Sequence, residues 1–319
     1  MRRVPRGIAL SRFQCRPSTI LASIFLICFS GCHARQGIPF KEKVLYEKDS
    51  LYNRIVVSED LNARYLRFGY GFIQSAMTRG DPTFLRIPYT AYLMMGLSFT
   101  QPKRALLVGL AGGAMVRLIR NLRPDLALDV VEIDPAVVLV AKRYFGIGED
   151  DKLKIIVSDG RVFAKRAYTT YDWIILDAFH SDTVPHHMTT VEYFRELGGI
   201  LSPGGCITVN IAPLGPGILY LALIRTFTVA FNQVYIYQVP NRGNIVVVGS
   251  NEESRMDGAV IARQLQALKA EAGESLSYLQ VDRPLFEQNP TVIGAPLLTD
   301  DFAPVDELRY RMVEGARLE

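Results

Sequence analysis

From Ala105 to Ser250 the chain repeats one texture, a short continuous apolar run followed by a stretch with helical periodicity. The apolar runs are "ALLVGL", "LALDVVEID", "LKIIVSDG", "YDWIILDAF", "CITVNIA", "QVYIYQV" and "NIVVVGS". Between them stand "AMVRLIRNL", with Met115, Ile119 and Leu122 on one face, "PAVVLVAKRYF" opened by Pro135, "RVFAKRA", "VEYFRELGGIL" and a helical stretch near 217–231. Strands without an alternating polar face must be covered on both sides, and helices returning between them make the pairing parallel. The pattern therefore predicts a doubly wound, mostly parallel α/β sheet. Before it, "KVLYEKDS", "NRIVVSED" and "RYLRFGYGFIQSAM" are short, rich in Tyr, Val and Ile, and punctuated by Asp, Asn and Gly, which predicts a small antiparallel β unit. The expected layout is a leader over 1–36, a β-rich domain over 37–100 and the α/β domain over 101–319.

Apolar residues make up 49% and charged residues 21% of the 319, enough for a large buried core and against extended disorder. The net charge of +4 misleads until it is divided. Residues 1–36 hold six arginines and no acid, leaving 30 basic against 32 acidic residues in the rest, so the charge implies no nucleic-acid surface. The leader's arginines precede "TILASIFLICF", too short to cross a bilayer core comfortably, and then "SGC" ending at Cys32. This layout predicts a cleaved signal, a lipidated Cys32 or a short anchor, with an exported or membrane-associated domain; a misassigned start codon would leave it cytoplasmic. Cys15, Cys28 and Cys32 lie in or beside the leader, so Cys206 alone cannot build a disulfide framework or a thiolate zinc site.

In open α/β sheets ligands bind beyond the carboxyl ends of the strands. The first such end carries "GLAGGA", residues 109–114, where small residues allow a ligand close to the backbone and open a helix N-terminus. The second carries Glu132 and Asp134, with Glu132 placed 23 residues after Gly109 to accept two ribose hydroxyls. The third carries Asp159 and Gly160, an acceptor for an exocyclic amino group, and the fourth carries Asp177. Together these describe a nucleoside pocket. The dinucleotide pattern G-x-G-x-x-G and the lysine of a P-loop are both missing from "GLAGGA".

On these residues the chain resembles the spermidine synthase (polyamine aminopropyltransferase) family within the S-adenosylmethionine-type, Rossmann-like transferases of methyltransferase type. The likeness runs from about Val44 to Asp306 and rests on "YEKDSLYNRIVV", "VEIDPAVV", "VSDGRVF", "YDWIILDAF" and "LSPGG", with "TDDFAPVDEL" near the C-terminus. It implies that Glu132 binds ribose, Asp159 and Gly160 bind adenine, Asn53 and Gly109 adjoin the cofactor, and Asp177 takes the proton of an attacking amine. The co-substrate it implies is decarboxylated S-adenosylmethionine, or intact S-adenosylmethionine, with no metal, a small-molecule amine as acceptor and a homodimer. An amine must be neutral to attack a carbon on a sulfonium, so a carboxylate that receives its proton is coherent chemistry. His180 and Asp182 are the expected acceptor-side residues.

The departures from the family fall on amine recognition. Gly112 stands where a family aspartate receives the amine of the co-substrate, Thr90 where "PYTAYLMM" should carry histidine, Asn53 where glutamine is usual, and His180 where a second aspartate is expected. Two other readings therefore stay open: a methyltransferase using intact S-adenosylmethionine, and a non-catalytic nucleoside-binding protein. In "LDAFHSDTVPHH", residues 176–187, the spacing of His180, His186 and His187 does not suit a metal, which leaves them in a lid or a polar loop. Trp173 and Cys206 are expected in buried strands.

Overall fold

The computed structural model describes residues 41–178, 185–212, 215–280 and 284–319. The leader, including Cys32, lies outside the described residues, as do His180 and Asp182. Among the described residues no helix is long and apolar enough to cross a membrane.

The N-terminal runs form an antiparallel sheet of four strands in chain order: β1 (Lys43–Asp49), β2 (Arg54–Glu59), β3 (Ala63–Phe68) and β4 (Ile73–Thr78). "RYLRFGYGFIQSAM" is thus two strands, because the glycines at 69 and 71 turn the chain back on itself. Ile55, Val57 and Leu66 of this sheet pack with Val137, Val140 and Phe145 of helix α3 (Pro135–Phe145), which fixes the small sheet against the large one.

The large sheet has seven strands: β5 (Arg104–Val108), β6 (Ala127–Glu132), β7 (Leu153–Val157), β8 (Tyr171–Leu176), β9 (Leu201–Ile211), β10 (Gln233–Gln238) and β11 (Ile245–Ser250). Their spatial order is β10-β11-β9-β8-β5-β6-β7. β5 pairs in parallel with both β6 and β8, β6 with β7, and β8 with β9, whereas β11 runs antiparallel to both of its neighbours, β9 and β10. β10 and β11 are joined by a turn of a few residues, which permits only an antiparallel pair. The chain proceeds from β5 toward one edge and then returns to place β8 on β5's other side, so strand order reverses between β5 and β8. That reversal leaves the crevice in which such sheets bind ligands.

Both faces of the sheet are buried. Leu106, Val108, Ile174, Leu176, Ile207 and Val209 face helices α5 (Val191–Gly199) and α6 (Leu219–Ala230). Ala105, Leu107, Trp173 and Ile175 face α1 (Pro88–Leu93), α2 (Ala114–Leu122) and α7 (Gly258–Ala272). In α2, Met115, Val116, Leu118 and Ile119 are the buried residues and Leu122 lies at their margin. Trp173 is fully buried and donates from Nε1 to Thr208 Oγ1 at 3.1 Å, and Cys206 is buried beside it, as expected for strand residues. The α4 helix (Gly160–Arg166) completes the β7–β8 crossover.

Candidate functional site

Gly109 is the point at which three strand ends meet. Its N–H donates to Val131 O at 2.8 Å on the β6 side, while Asp177 N donates to Val108 O at 2.9 Å on the β8 side. Its φ is +101°, and a Cβ there would stand 2.4 Å from the carbonyl oxygen of Asp177. Only glycine lets β5 turn away here with β8 packed against it. The glycine expected beside a cofactor therefore also sets how near Asp177 comes to the β6 side of the crevice.

On that side Glu132 closes β6. Its Oε2 accepts from Leu110 N at 2.9 Å and its Oε1 from Asp134 N at 3.0 Å, so the carboxylate is rigidly held by the glycine turn on one flank and the α3 entry on the other. Burial raises its carboxyl above the ordinary value, against the pull of the N–H groups of Asp134, Leu110 and Ala111. Asp134, itself buried, caps α3 through Ala136 N at 2.9 Å and receives the Ser50 hydroxyl on its other oxygen. Ser50 Oγ also accepts from Asn53 N at 2.9 Å, so the β1–β2 turn carrying Asn53 is pinned to the end of β6.

Ser158 N donates to Glu132 O at 3.1 Å, which sets the end of β7 directly beside Glu132. The next residue, Asp159, caps α4 by accepting from Arg161 N and Val162 N, both at 2.9 Å. Its second oxygen lies 2.9 Å from His187 Nε2. Burial alone would raise the Asp159 carboxyl, but the Val162 and Arg161 N–H groups and the His187 ring together bring it below its ordinary value. The Asp159 carboxylate therefore stays ionised. Gly160 is buried, and a Cβ there would lie 2.6 Å from Val108 Cγ1.

On the opposite side stands Asp177. Its Oδ1 accepts from Asn210 Nδ2 at 3.1 Å and its Oδ2 from the Tyr89 hydroxyl at 3.3 Å. Burial pushes its carboxyl up to about 6, with the bonds from Asn210 and Tyr89 acting the other way. Tyr89 is driven well above the ordinary phenol range by its own burial and by Asp177, so it remains a donor. Asp177 is thus a carboxylate that is ionised at neutral pH and close enough to its pKa to accept and release a proton.

Two of the departures lie at buried positions. Thr90 is buried and its hydroxyl donates to Ile87 O at 2.6 Å, inside the first turn of α1. At Gly112 a Cβ would stand 2.7 Å from Ser75 Oγ and 2.8 Å from Ser75 Cβ on β4. An aspartate there would collide with Ser75 of the small sheet unless β4 shifted.

Residues that the sequence did not single out complete the site. Tyr89 stood unremarked beside Thr90. Asn210 was visible only as a polar residue within "CITVNIA". His187 was read as part of a lid or polar loop, yet it contacts Asp159, whereas the neighbouring His186 is exposed. The "TDD" stretch adds support from behind: Asp300 and Glu196 grip Arg161, whose Nη1 also donates to His187 O at 2.9 Å. Arg161 holds the Asp300 carboxyl down to about 2. No cluster of three or more His, Cys, Asp or Glu able to hold a metal occurs among the described residues.

A parallel sheet reversing at β5 and β8, with a glycine turn, two acids at the next strand ends and a proton-accepting carboxylate across the crevice, defines a Rossmann-like transferase of the S-adenosylmethionine type. Residues 89–240 match the model of the spermine/spermidine synthase domain. The polyamine aminopropyltransferase of Vibrio vulnificus is 31% identical over 281 residues, spanning 83% of this chain and 91% of that protein. The chain belongs to the spermine/spermidine synthase (polyamine aminopropyltransferase) family. Its fold is shared with a probable spermidine synthase from Corynebacterium glutamicum, with a TM-score of 0.59 and 22% identity over 72% of this chain and 93% of that one. Human methyltransferase-like protein 13, solved in complex with SAH, gives a TM-score of 0.54 and 21% identity over 58% of this chain and 92% of that one.

Proposed function

We propose that this protein transfers the aminopropyl group of decarboxylated S-adenosylmethionine to a small amine of the polyamine class. The observation that carries the reading is the Asp177 carboxylate, held by Tyr89 and Asn210 at the edge of the crevice that Gly109 keeps open. In this reading Glu132 accepts the ribose hydroxyls, Asp159 and Gly160 meet the adenine edge, and the Asn53 turn closes the near side. Asp177 accepts a proton from the acceptor amine. The amine lone pair then forms a C–N bond to the propyl carbon as the C–S bond breaks, and sulfur leaves with that electron pair as neutral methylthioadenosine. His180 and Asp182 are proposed as acceptor-side groups. Membership of the family and the placing of the acids at successive strand ends support this assignment.

The test is release of methylthioadenosine from purified protein supplied with decarboxylated S-adenosylmethionine and a panel of diamines, followed by mass spectrometry. Formation of the aminopropylated amine is the expected result. Gly112 favours one second reading, methyl transfer from intact S-adenosylmethionine, because no acid faces the donor's amine from that turn and none would repel its carboxylate. Appearance of S-adenosylhomocysteine with a methylated acceptor would establish that reading instead. We also propose that residues 1–36 export or anchor the domain, with Cys32 the lipidation site, and that the protein forms homodimers. The mass of the mature N-terminus, membrane fractionation and sedimentation velocity test these points.

A further inference from the structure

Asn244 lies just before β11, nearly buried, and takes no part in the chemistry proposed above. Its main-chain oxygen accepts from Val239 N at 2.9 Å, so the β10–β11 turn is held without its side chain. That side chain points at the site: Asn244 Nδ2 donates to Asn210 Oδ1 at 2.9 Å, and Asn210 Nδ2 donates to Asp177 Oδ1 at 3.1 Å. Asn210 itself is buried.

The direction of this chain is dictated by its end. An ionised carboxylate only accepts, so the end of the Asn210 amide that faces Asp177 must be its NH2. Its oxygen must then face Asn244, which must donate. Without Asn244 the Asn210 oxygen would be a buried acceptor lacking a partner, and the amide could relieve that only by turning its oxygen toward Asp177. A carbonyl oxygen against a carboxylate is repulsive, and it removes the bond that favours the charged form.

We infer that Asn244 is a positioning residue, which fixes the donor end of Asn210 on Asp177 and so holds that carboxylate ready to accept a proton. The inference rests on Asp177 being the base of the proposed reaction. Among the described residues, the groups acting on Asp177 are the Asn210 amide from β9 and the Tyr89 phenol from α1, while β5 contributes backbone at Val108 and Gly109. Tyr89 is the titratable one and stays protonated, so the amide chain is the adjustable part of the surroundings.

The direct test is the carboxyl titration of Asp177 by carbon-13 NMR, its signal assigned by loss in Asp177→Asn. Wild type would be compared with Asn244→Ala, with Asn244→Leu, which keeps the shape but has no donor, with Asn210→Ala, and with Asn210→Ala combined with Asn244→Ala. Each single change should raise the titration midpoint by about one pH unit, the size expected for one lost hydrogen bond to a charged group. The double variant should match Asn210→Ala alone, because Asn244 acts through Asn210. In turnover, the acid limb of kcat/KM should move up with the carboxyl, and kcat at pH 7 should fall about twofold with KM for the nucleoside co-substrate unchanged. An unmoved Asp177 midpoint in either Asn244 variant, or additive shifts in the double variant, would overturn the inference. If wild-type protein transfers no aminopropyl group, the proposed function fails, yet the NMR titration still decides whether Asn244 controls Asp177.

Discussion

The two halves of the crevice are built from different materials. On the side proposed for the nucleoside, Glu132 is held by main-chain N–H groups beside its strand end, and Asp159 by those of the first turn of α4 with the His187 ring added. On the amine side, Asp177 is held by two side chains, one 88 residues before it and one 33 after it. A carboxylate fixed by the backbone is fixed by the fold and survives wherever the fold survives. One fixed by side chains depends on what occupies a few scattered positions. At Gly112, where the family is expected to carry an acid, a side chain would meet Ser75 of β4. In the proposed reaction the first half would hold the nucleoside, and the second would select the group transferred and its acceptor.

Changes on each side should therefore separate binding from turnover. The largest effect is expected for Asp177→Asn, which should lower kcat by about 10³-fold while leaving the Kd for methylthioadenosine within a small factor of wild type. Loss of nucleoside affinity in this variant would join the halves that the geometry separates. Next, Glu132→Gln should weaken methylthioadenosine binding by about 2 kcal/mol, roughly thirtyfold, by replacing a charged acceptor that serves the ribose with a neutral amide. Calorimetry at constant ionic strength measures it, and unchanged affinity would remove Glu132 from the ribose.

The pH dependence should belong to the amine side. With the Asp177 carboxyl at about 6, kcat/KM should fall roughly fivefold between pH 6 and pH 5, while nucleoside affinity stays nearly level. The stability effect has the opposite sense. A carboxyl raised above its unfolded value of 3.8 binds its proton more tightly in the folded state. This contribution favours the folded state fully below about pH 4 and is lost as pH rises through about 6. Asp177→Asn should accordingly melt no lower than wild type at pH 8, and a marked drop there would show the carboxylate to be a structural support. Gly112→Asp tests the steric account: it should cost about 1–3 kcal/mol by forcing β4 away, without raising turnover. The smallest effect is expected for His187→Ala, a few-fold loss in nucleoside affinity, because Asp159 keeps both of its main-chain bonds.

The same contrast explains what could be read in the sequence. The α/β order, the antiparallel unit before it, Gly109, Glu132, Asp159 and Asp177 were all legible, because apolar periodicity marks the strands and a ligand site must stand at their ends. Tyr89, Asn210 and His187 were not, since each reaches the site by a contact between elements distant in the chain. His187 is 28 residues from Asp159, and only the crossover through α4 and β8 brings them to 2.9 Å. The division of "RYLRFGYGFIQSAM" into two strands was available from its glycines, whereas the collision at Gly112 was not, because Ser75 lies on another sheet.

The account is tested most directly by calorimetric titration of the protein with decarboxylated S-adenosylmethionine and with intact S-adenosylmethionine under identical conditions. It predicts that both bind through the shared nucleoside, and that the decarboxylated form binds more tightly. Tighter binding of the carboxylated form, or no binding of either, would contradict it.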